Sequence, residues 1–467
     1  MTDRILIRGG IVLTQDAELG EQPGADILVE GDRIAAVGRN LSAGDARVIA
    51  ADGDIVIPGF VDTHRHTWET SIRTSAPDYT LGAYFGAILD KFAPKYRPDD
   101  VYAGNLWGSL ECLNAGITTL VDWSHIMNTP EHADAAVKGL QDAGLRAVFA
   151  FGFPNTSIQA WWFGPDWAGS VERINGDEAR RIRRDYLSDD QGLITMGLAT
   201  RGTNFCKPEV VRYEWELAKE LGINITVHVA MDRFGYTKMQ LRGLKDMGLL
   251  YPNTTYIHSS HLLDDEWQMV ADSGGNVSLA PQIEMQMGHG WAPAATATKM
   301  GIPVGLSSDV ATTASSDQFT QMHAVFASER ARRHQTAWDE DLDGNTPTPD
   351  LIDARQVLRW ATIEGAKVAG VADHTGSITP GKKADLVIID TKAVNVAPVI
   401  DPVGAVVCAA DISNVRTVIV DGRVVKDDFR LAADLAGPRR LVEASRDYLV
   451  GEFGEPEPGW LAAAIKA

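Results

Sequence analysis

The chain has 467 residues, 45% of them hydrophobic, with a formal net charge of -20 at pH 7 and a pI near 4.9. That excess of carboxylates repels polyanions, which excludes nucleic acid and anionic lipid as partners and leaves small neutral or cationic molecules. The three cysteines, Cys112, Cys206 and Cys408, lie far apart with no C-x-x-C spacing, which excludes a disulfide framework and a cysteine zinc site.

The start, "MTDRILIRGGIVLTQ", lacks a basic segment leading into a long apolar one, and no run reaches the roughly 20 apolar residues that span a bilayer. A soluble, cytoplasmic protein is expected. Residues 1–58 alternate apolar residues with turn punctuation in "RILIRGGIVL", "DILVEGDRIAAVG" and "ARVIAADGDIVIPG". This is strand chemistry, with Gly9-Gly10 and Glu30-Gly31-Asp32 as tight turns.

From residue 59 to 375 the pattern changes to short apolar runs separated by helical stretches, which marks repeated βα units and a parallel sheet. Eight runs occur: "GFVDTHRH", "GITTLVDW", "LRAVFAFGF", "LITMGLAT", "INITVHVA", "TTYIHSS", "NVSLAPQ" and "PVGLSSD". Eight closes a barrel. Of the intervening helices, "PEVVRYEWELAKELG" is well punctuated, with Pro208 in its first turn and Gly222 as its stop. Strand chemistry returns over 376–430 in "KADLVIID", "AVVCAAD" and "VRTVIVDGRVVKDD", and 431–467 reads as a C-terminal helix and tail. The expected fold is α/β: a (β/α)₈ TIM-type barrel with a small β-sandwich built from both chain ends. Barrels of this kind associate readily, so a homo-oligomer is expected.

In such a barrel the chemistry sits where strands end. The histidines follow that rule: His64 and His66 close the first run, His125 follows the second, His228 lies in the fifth and His258 in the sixth, while Asp309 ends the eighth. Alternation along a strand turns His64 and His66 to one face and Arg65 to the other. Only eleven histidines exist, and this many at strand ends is a poor match to random core packing.

In order and spacing, "PGFVDTHRH", "NAGITTLVD", "TVHVA", "YIHSSHL", "GLSSD" and "GSITPGKKADLVIID" resemble the amidohydrolase superfamily over essentially the whole chain. The resemblance to its one-metal subtype implies that His64, His66, His228 and Asp309 hold the metal and that His258 is a catalytic residue beside Asp309. Three imidazoles and a carboxylate suit one divalent transition metal ion per chain: Zn, Co, Fe or Mn. Water on such an ion ionises near neutral pH. Asp309 would move its proton, and His258 would polarise the substrate or orient the nucleophile. Two-metal relatives need a lysine on the fourth strand, and "LITMGLAT" has none.

The substrate side is expected to involve His125, His289 on the loop "EMQMGHGWAP", Trp68, Met231, and Trp162 within the aromatic stretch "QAWWFGPDW". For His125, support of a ligand and contact with substrate remain open alternatives. The tryptophans of residues 159–167 either wall a pocket or anchor a loop or subunit contact. Relatives that deaminate N-heterocycles carry a glutamate three residues after the fifth-strand histidine; here that place holds Met231, which can neither give nor take a proton. This favours hydrolysis of an acyl substrate, and "DTHRHTW" and "EMQMGHG" are similar to a branch of amide, phenylurea and thiocarbamate (molinate-type) hydrolases, which implies cleavage of such bonds in small apolar or aromatic molecules. The alternative is an N-heterocycle deaminase or triazine-type chlorohydrolase on the same scaffold. A non-catalytic barrel is the third possibility, and the intact ligand set argues against it.

Overall fold

A computed structural model describes residues 4–153, 176–203, 205–232, 235, 239–340 and 347–452. Trp162, with the rest of 159–167, lies outside the described residues, as does the tail beyond 452.

All eight apolar runs form strands: Phe60–His66, Ile117–Ser124, Arg146–Gly152, Ile194–Thr200, Asn224–Val229, Thr255–His258, Asn276–Leu279, and an eighth in two pieces, Val304–Leu306 and Asp309–Val310. Each pairs in parallel with its neighbours in chain order. The break at Ser307-Ser308 closes the ring. The first piece of the eighth strand pairs with the seventh, Val304 opposite Val277, and the second pairs with the first strand, Asp309 opposite Arg65. Parallel strands covered by helices are buried on both faces, which is why these runs read as continuous apolar stretches. The helix Pro208–Leu221 ends as its sequence predicts, at Gly222 in the left-handed conformation with φ +66.

Both chain ends share a second, nine-stranded sheet. Its seam is the antiparallel pairing of Ile55–Pro58 with Leu386–Ile389, and its core gathers Ile7, Ile27, Val29, Val56, Ile388 and Ile419. Two sequence expectations are corrected here. Gly9-Gly10 is not a turn: Arg4–Leu13 is one strand with a register shift at that point, and Gly9, at φ +77, supplies the bulge. "AVVCAAD" is not a strand either. Pro402–Cys408 is a helix, because Asp401 caps it by accepting from the Val403 N–H and Pro402 fits the first turn. Among the described residues no helix is long and apolar enough to cross a membrane.

Sheet and barrel meet at two points that the chain cannot easily alter. A Cβ on Gly59 would lie 1.9 Å from Thr118 Oγ1, so only glycine lets the chain pass from the sheet into the first barrel strand. Beside it, buried Arg146 of the third barrel strand donates to Asp385 (2.6 Å) and Asp421 (2.8 Å) of the C-terminal segment. Arg146→Ala strands Asp385 as a buried carboxylate, and we expect a loss of about 3–5 kcal/mol in urea unfolding. A loss below about 1 kcal/mol would show that the two parts hold together without this pair.

Candidate active site

Four side chains from three parts of the barrel converge at the C-terminal ends of its strands. One ligand-type atom each from His64, His66, His228 and Asp309 lies within 4.8 Å of the others. Asp309 Oδ1 stands 3.1 Å from His64 Nε2 and 3.5 Å from His66 Nε2, and His228 Nε2 stands 3.2 Å from His64 Nε2. Ligands at 2.0–2.1 Å around a tetrahedral ion are separated by about 3.3 Å, so these spacings fit a divalent transition metal. Arg65 faces away, as alternation requires: it is fully buried against Glu111 (2.8 Å) and Thr70 (3.2 Å).

Other residues hold the donors in place. His66 Nδ1 lies 3.3 Å from the Trp123 carbonyl; an N–H there leaves the Nε2 lone pair for the metal. Asp62 accepts from the Ser308 amide (3.2 Å) and hydroxyl and from the His64 amide (3.3 Å), so one buried carboxylate ties the first strand to the break that delivers Asp309. Gln240 accepts from the Ala230 N–H (2.5 Å) and donates to the His228 carbonyl (3.2 Å), fixing the end of the fifth strand. The Trp123 ring forms the floor, 4.3 Å from the His228 ring and 5.3 Å from the His64 ring between centroids. Sequence reasoning missed Asp62, Trp123, Gln240 and Glu284. The first two lie inside quoted strand runs, but only the pairing of distant strands shows what they touch.

Backbone strain concentrates at the same place. Ala230 (φ +52), His258 (φ +67) and Asp309 (φ +59) all adopt the left-handed conformation that non-glycine residues avoid. Such positions cost about 1–3 kcal/mol each and persist where surrounding contacts over-determine them.

The site is electrostatically polarised. Burial, reinforced by neighbouring imidazoles, keeps His66 and His228 neutral well below the usual histidine range. Burial likewise lowers His64 and takes His125 and His289 down to about 3. His258 goes the other way: burial opposes its charge, but the hydrogen bond to Glu284 (3.2 Å) and the field of Asp309 outweigh it and raise its pKa. Asp309 is held as a carboxylate; burial opposes ionisation, and His64 with the other imidazoles overcomes it. His258 Nε2 lies 3.8 Å from Asp309 Oδ2, so both groups face one space beside the ligands.

Above the cluster is a cavity. Among the described residues its apolar wall is Leu81, Phe85, Leu89, Met231, Met287 and Val310, with Tyr84, His66, His125, His228, His258, His289 and Asp309 completing the lining. Tyr84 ends the turn Leu81–Tyr84, and Phe85 and Leu89 come from a wider π-type segment, Phe85–Phe92. His289 is buried with both ring nitrogens lacking a hydrogen-bond partner. Trp68 is not in the wall: fully buried behind it, its indole N–H donates to His125 Nδ1 (3.3 Å) and its ring packs edge-on to Tyr96. The strand ends at His66 and a tight turn follows, which carries Trp68 backwards into the protein.

Comparison with known proteins matches this arrangement to a family. The amidohydrolase family profile covers residues 55–425. The chain belongs to the amidohydrolase family. It is 31% identical over 437 residues (91% of this chain, 94% of the relative) to a 5-methylthioadenosine/S-adenosylhomocysteine deaminase of Symbiobacterium thermophilum. It is 29% identical over 439 residues (91% and 94%) to a 5'-deoxyadenosine deaminase of Methanosarcina mazei. Its fold matches a zinc-bound atrazine chlorohydrolase of Arthrobacter aurescens with TM-score 0.82 at 24% identity, covering 95% of this chain and all of that one. A zinc-bound adenosine deaminase from Xanthomonas campestris matches with TM-score 0.78 at 21% identity, covering 96% and 98%. These relatives are named deaminases and a chlorohydrolase, so they support the alternative reading better than the placement among phenylurea and thiocarbamate hydrolases. Of the short motifs behind that placement, "DTHRHTW" carries two metal-ligand positions and "EMQMGHG" carries Glu284 and His289.

The neutral histidines make stability pH-dependent. His66, His125, His228 and His289 stay unprotonated in the fold, while the unfolded chain protonates the same residues below about pH 6.5. The unfolded state therefore binds more protons there, and stability falls as pH falls, by about 1.4 kcal/mol per pH unit for each such residue. The raised carboxyls of Glu69, Asp62 and Asp122 act in the opposite direction over the same range, so the imidazoles are followed directly: in metal-free protein their ring-proton NMR resonances should not titrate between pH 7.5 and 5.5, and a normal titration would overturn the assignment.

Proposed function

We propose that this amidohydrolase is a one-metal enzyme that replaces an amino group, or a halide-type leaving group, on a carbon of an N-heteroaromatic ring with oxygen from water. The observation that carries the reading is the near full-length similarity to deaminases named for adenine nucleosides. The cavity agrees with it. An apolar wall suits the faces of an uncharged planar ring, and a buried histidine with two unpartnered nitrogens suits its heteroatoms.

His64, His66, His228 and Asp309 would hold the ion, which when bound supplies Lewis acidity and a water that ionises near neutral pH. Asp309, a carboxylate facing the space beside the ligands, takes the proton of the attacking water and passes it to the departing nitrogen. His258, fixed through Nδ1 by Glu284, keeps Nε2 on the same water and stabilises negative charge as the bond forms. His289 hydrogen-bonds the ring. His125, braced by Trp68, and Met231 pack against the substrate.

A second reading is hydrolysis of an amide, urea or (thio)carbamate bond, and Met231 favours it. The cavity wall has a thioether where ring deaminases keep an acid, and an acyl substrate needs no proton on a ring nitrogen. A panel of aminopurines, adenine nucleosides, amino- and chlorotriazines, anilides, phenylureas and thiocarbamates separates the two, with ammonia, chloride or amine release as readout. Ring turnover is expected; turnover confined to acyl substrates overturns the first reading.

Two variants test the site. His66→Ala removes a ligand, so zinc content by elemental analysis falls from about one ion per chain together with turnover. Asp309→Asn retains an oxygen donor but loses the proton shuttle, so metal stays while kcat falls by about 10²–10⁴. An active Asp309→Asn enzyme would place the base elsewhere, and two ions per chain would remove the one-metal assignment.

A further inference from the structure

The helix Pro98–Asn114 carries Trp107, Leu110, Glu111 and Asn114 at the i, i+3, i+4, i+7 spacing that puts them on one face. That face is not closed over. Across from it stand Phe429 and Leu431, from the hairpin that ends the second sheet, and Leu435, just ahead of the C-terminal helix Ala436–Gly451; between the two walls lies a cleft of about 510 Å³. Small-molecule sites run from about 300 to 1,000 Å³, so the cleft is large enough for one. It is separate from the active site. Arg65 turns its guanidinium away from His64 and His66, and Glu111 on the cleft wall accepts from it, so the first barrel strand stands between the cleft and the metal ligands.

The walls are mostly apolar, but the charge around them is one-sided. Glu111 is the one acid among the described lining residues, and two arginines already share it: Arg73 through both Nη atoms (2.5 and 2.7 Å) and Arg65 (2.8 Å). Beneath the floor is Lys426. It sits directly opposite Leu431 in the antiparallel pairing, and opposite residues project to the same face, so its side chain runs under the cleft, where Nζ donates to the Asn114 carbonyl (2.7 Å). Its neighbour Asp427 projects to the other face and pairs with Arg47 (2.6 Å). Lys426 is only 3% exposed, and among the described residues no carboxylate pairs with it. Burial, with no anion to offset it, lowers its pKa to about 8. An ammonium has three N–H donors, and the Asn114 carbonyl takes one of them. A buried cation without a counter-charge is costly to keep, and an anion brought into the cleft would relieve that cost.

We infer that this cleft is a binding site for a small organic carboxylate, its hydrocarbon or aromatic body held between Trp107 and Leu110 on one side and Phe429 and Leu435 on the other, its carboxylate directed to Lys426. Arg73 and Arg430, both on the lining, add positive field at the same place. The net charge of -20 does not forbid this, because charges farther than about 8 Å are largely screened at physiological salt and a small monoanion meets the local cations. Phe429 is the apolar anchor. Its backbone is left-handed (φ +66), a conformation that bulky residues avoid, and the bond from its N–H to the Arg416 carbonyl (2.9 Å) holds it there with the side chain 43% exposed. An aromatic ring kept at an open apolar cleft, above a buried cation, offers the two contacts that such a ligand needs, one for its body and one for its charge.

The test uses the full-length zinc-loaded protein and calorimetric titration, with hydrocinnamate as the probe and hydrocinnamyl alcohol, the same skeleton without the charge, as the control. Hydrocinnamate should bind once per chain with Kd below about 1 mM and at least about tenfold more tightly than the alcohol. Lys426→Met keeps the length of the stem and removes the charge; Leu435→Trp narrows the cleft from an exposed position. Each should raise the hydrocinnamate Kd by about tenfold or more, while metal-depleted His66→Ala leaves it unchanged. Binding that is lost in His66→Ala and kept in Lys426→Met places the probe on the metal and overturns the inference. Equal affinity for acid and alcohol, or binding by neither at about 10 mM, overturns it as well. So does a dimer in sedimentation analysis that Leu435→Trp dissociates in the absence of any probe binding, which would assign the cleft to a second copy of the chain.

Discussion

Three imidazole nitrogens and a carboxylate oxygen brought to within 4.8 Å of one another, in a place nearly closed to water, form the constraint on which this molecule depends. Such a cluster repels itself if protonated and is costly to desolvate if not. A cation would satisfy the converging lone pairs, and the backbone must be fixed firmly enough to keep them converging. The supports follow from that need: Asp62 clamps the broken eighth strand to the first, Gln240 clamps the end of the fifth, and Trp123 fills the floor. The left-handed residues Ala230, His258 and Asp309 are the strain that results.

Polarity changes sharply around this centre. On the strand side His66 is oriented by the Trp123 carbonyl and His258 by Glu284, and Glu284 with Asp309 gives His258 a charge preference opposite to that of its neighbours. On the loop side the wall is hydrocarbon and thioether, and His289 keeps both nitrogens without partners. Fixed charges next to an apolar wall are an arrangement in which electrostatic stabilisation is strong, because little water intervenes. The cavity thus offers apolar contact on one side and fixed charge on the other.

Membership of the amidohydrolase family accounts for the strand side, which is where the shared chemistry of water activation resides. The loop side is where members of one scaffold can differ, since loops at strand ends change without disturbing the barrel. In this chain that side holds a methionine just beyond the fifth strand and a tyrosine whose O–H donates to a buried glutamate.

Much of this was legible in the residues alone. Eight apolar runs of strand length gave eight strands because parallel strands buried on both faces admit little else, and the position of each histidine at a run's end placed it on the catalytic face. Local signals failed where the chain's environment outweighed them: "AVVCAAD", apolar enough for a strand, became a helix once Asp401 and Pro402 started one, and Gly9-Gly10 bent a strand instead of ending it. Trp68, two residues past His66, read as a neighbour of the substrate and lies behind the wall, because the direction of the turn after a strand is not written in the residue count. Glu69 gave no signal in the sequence. Its raised pKa comes from burial and the field of Asp309, which outweigh the hydrogen bonds from Tyr84 and from Thr312, 243 residues away, and the pull of Arg65. Composition and periodicity determine which elements form and which face they bury; the charge state and use of a buried side chain are set by what the closed barrel places around it.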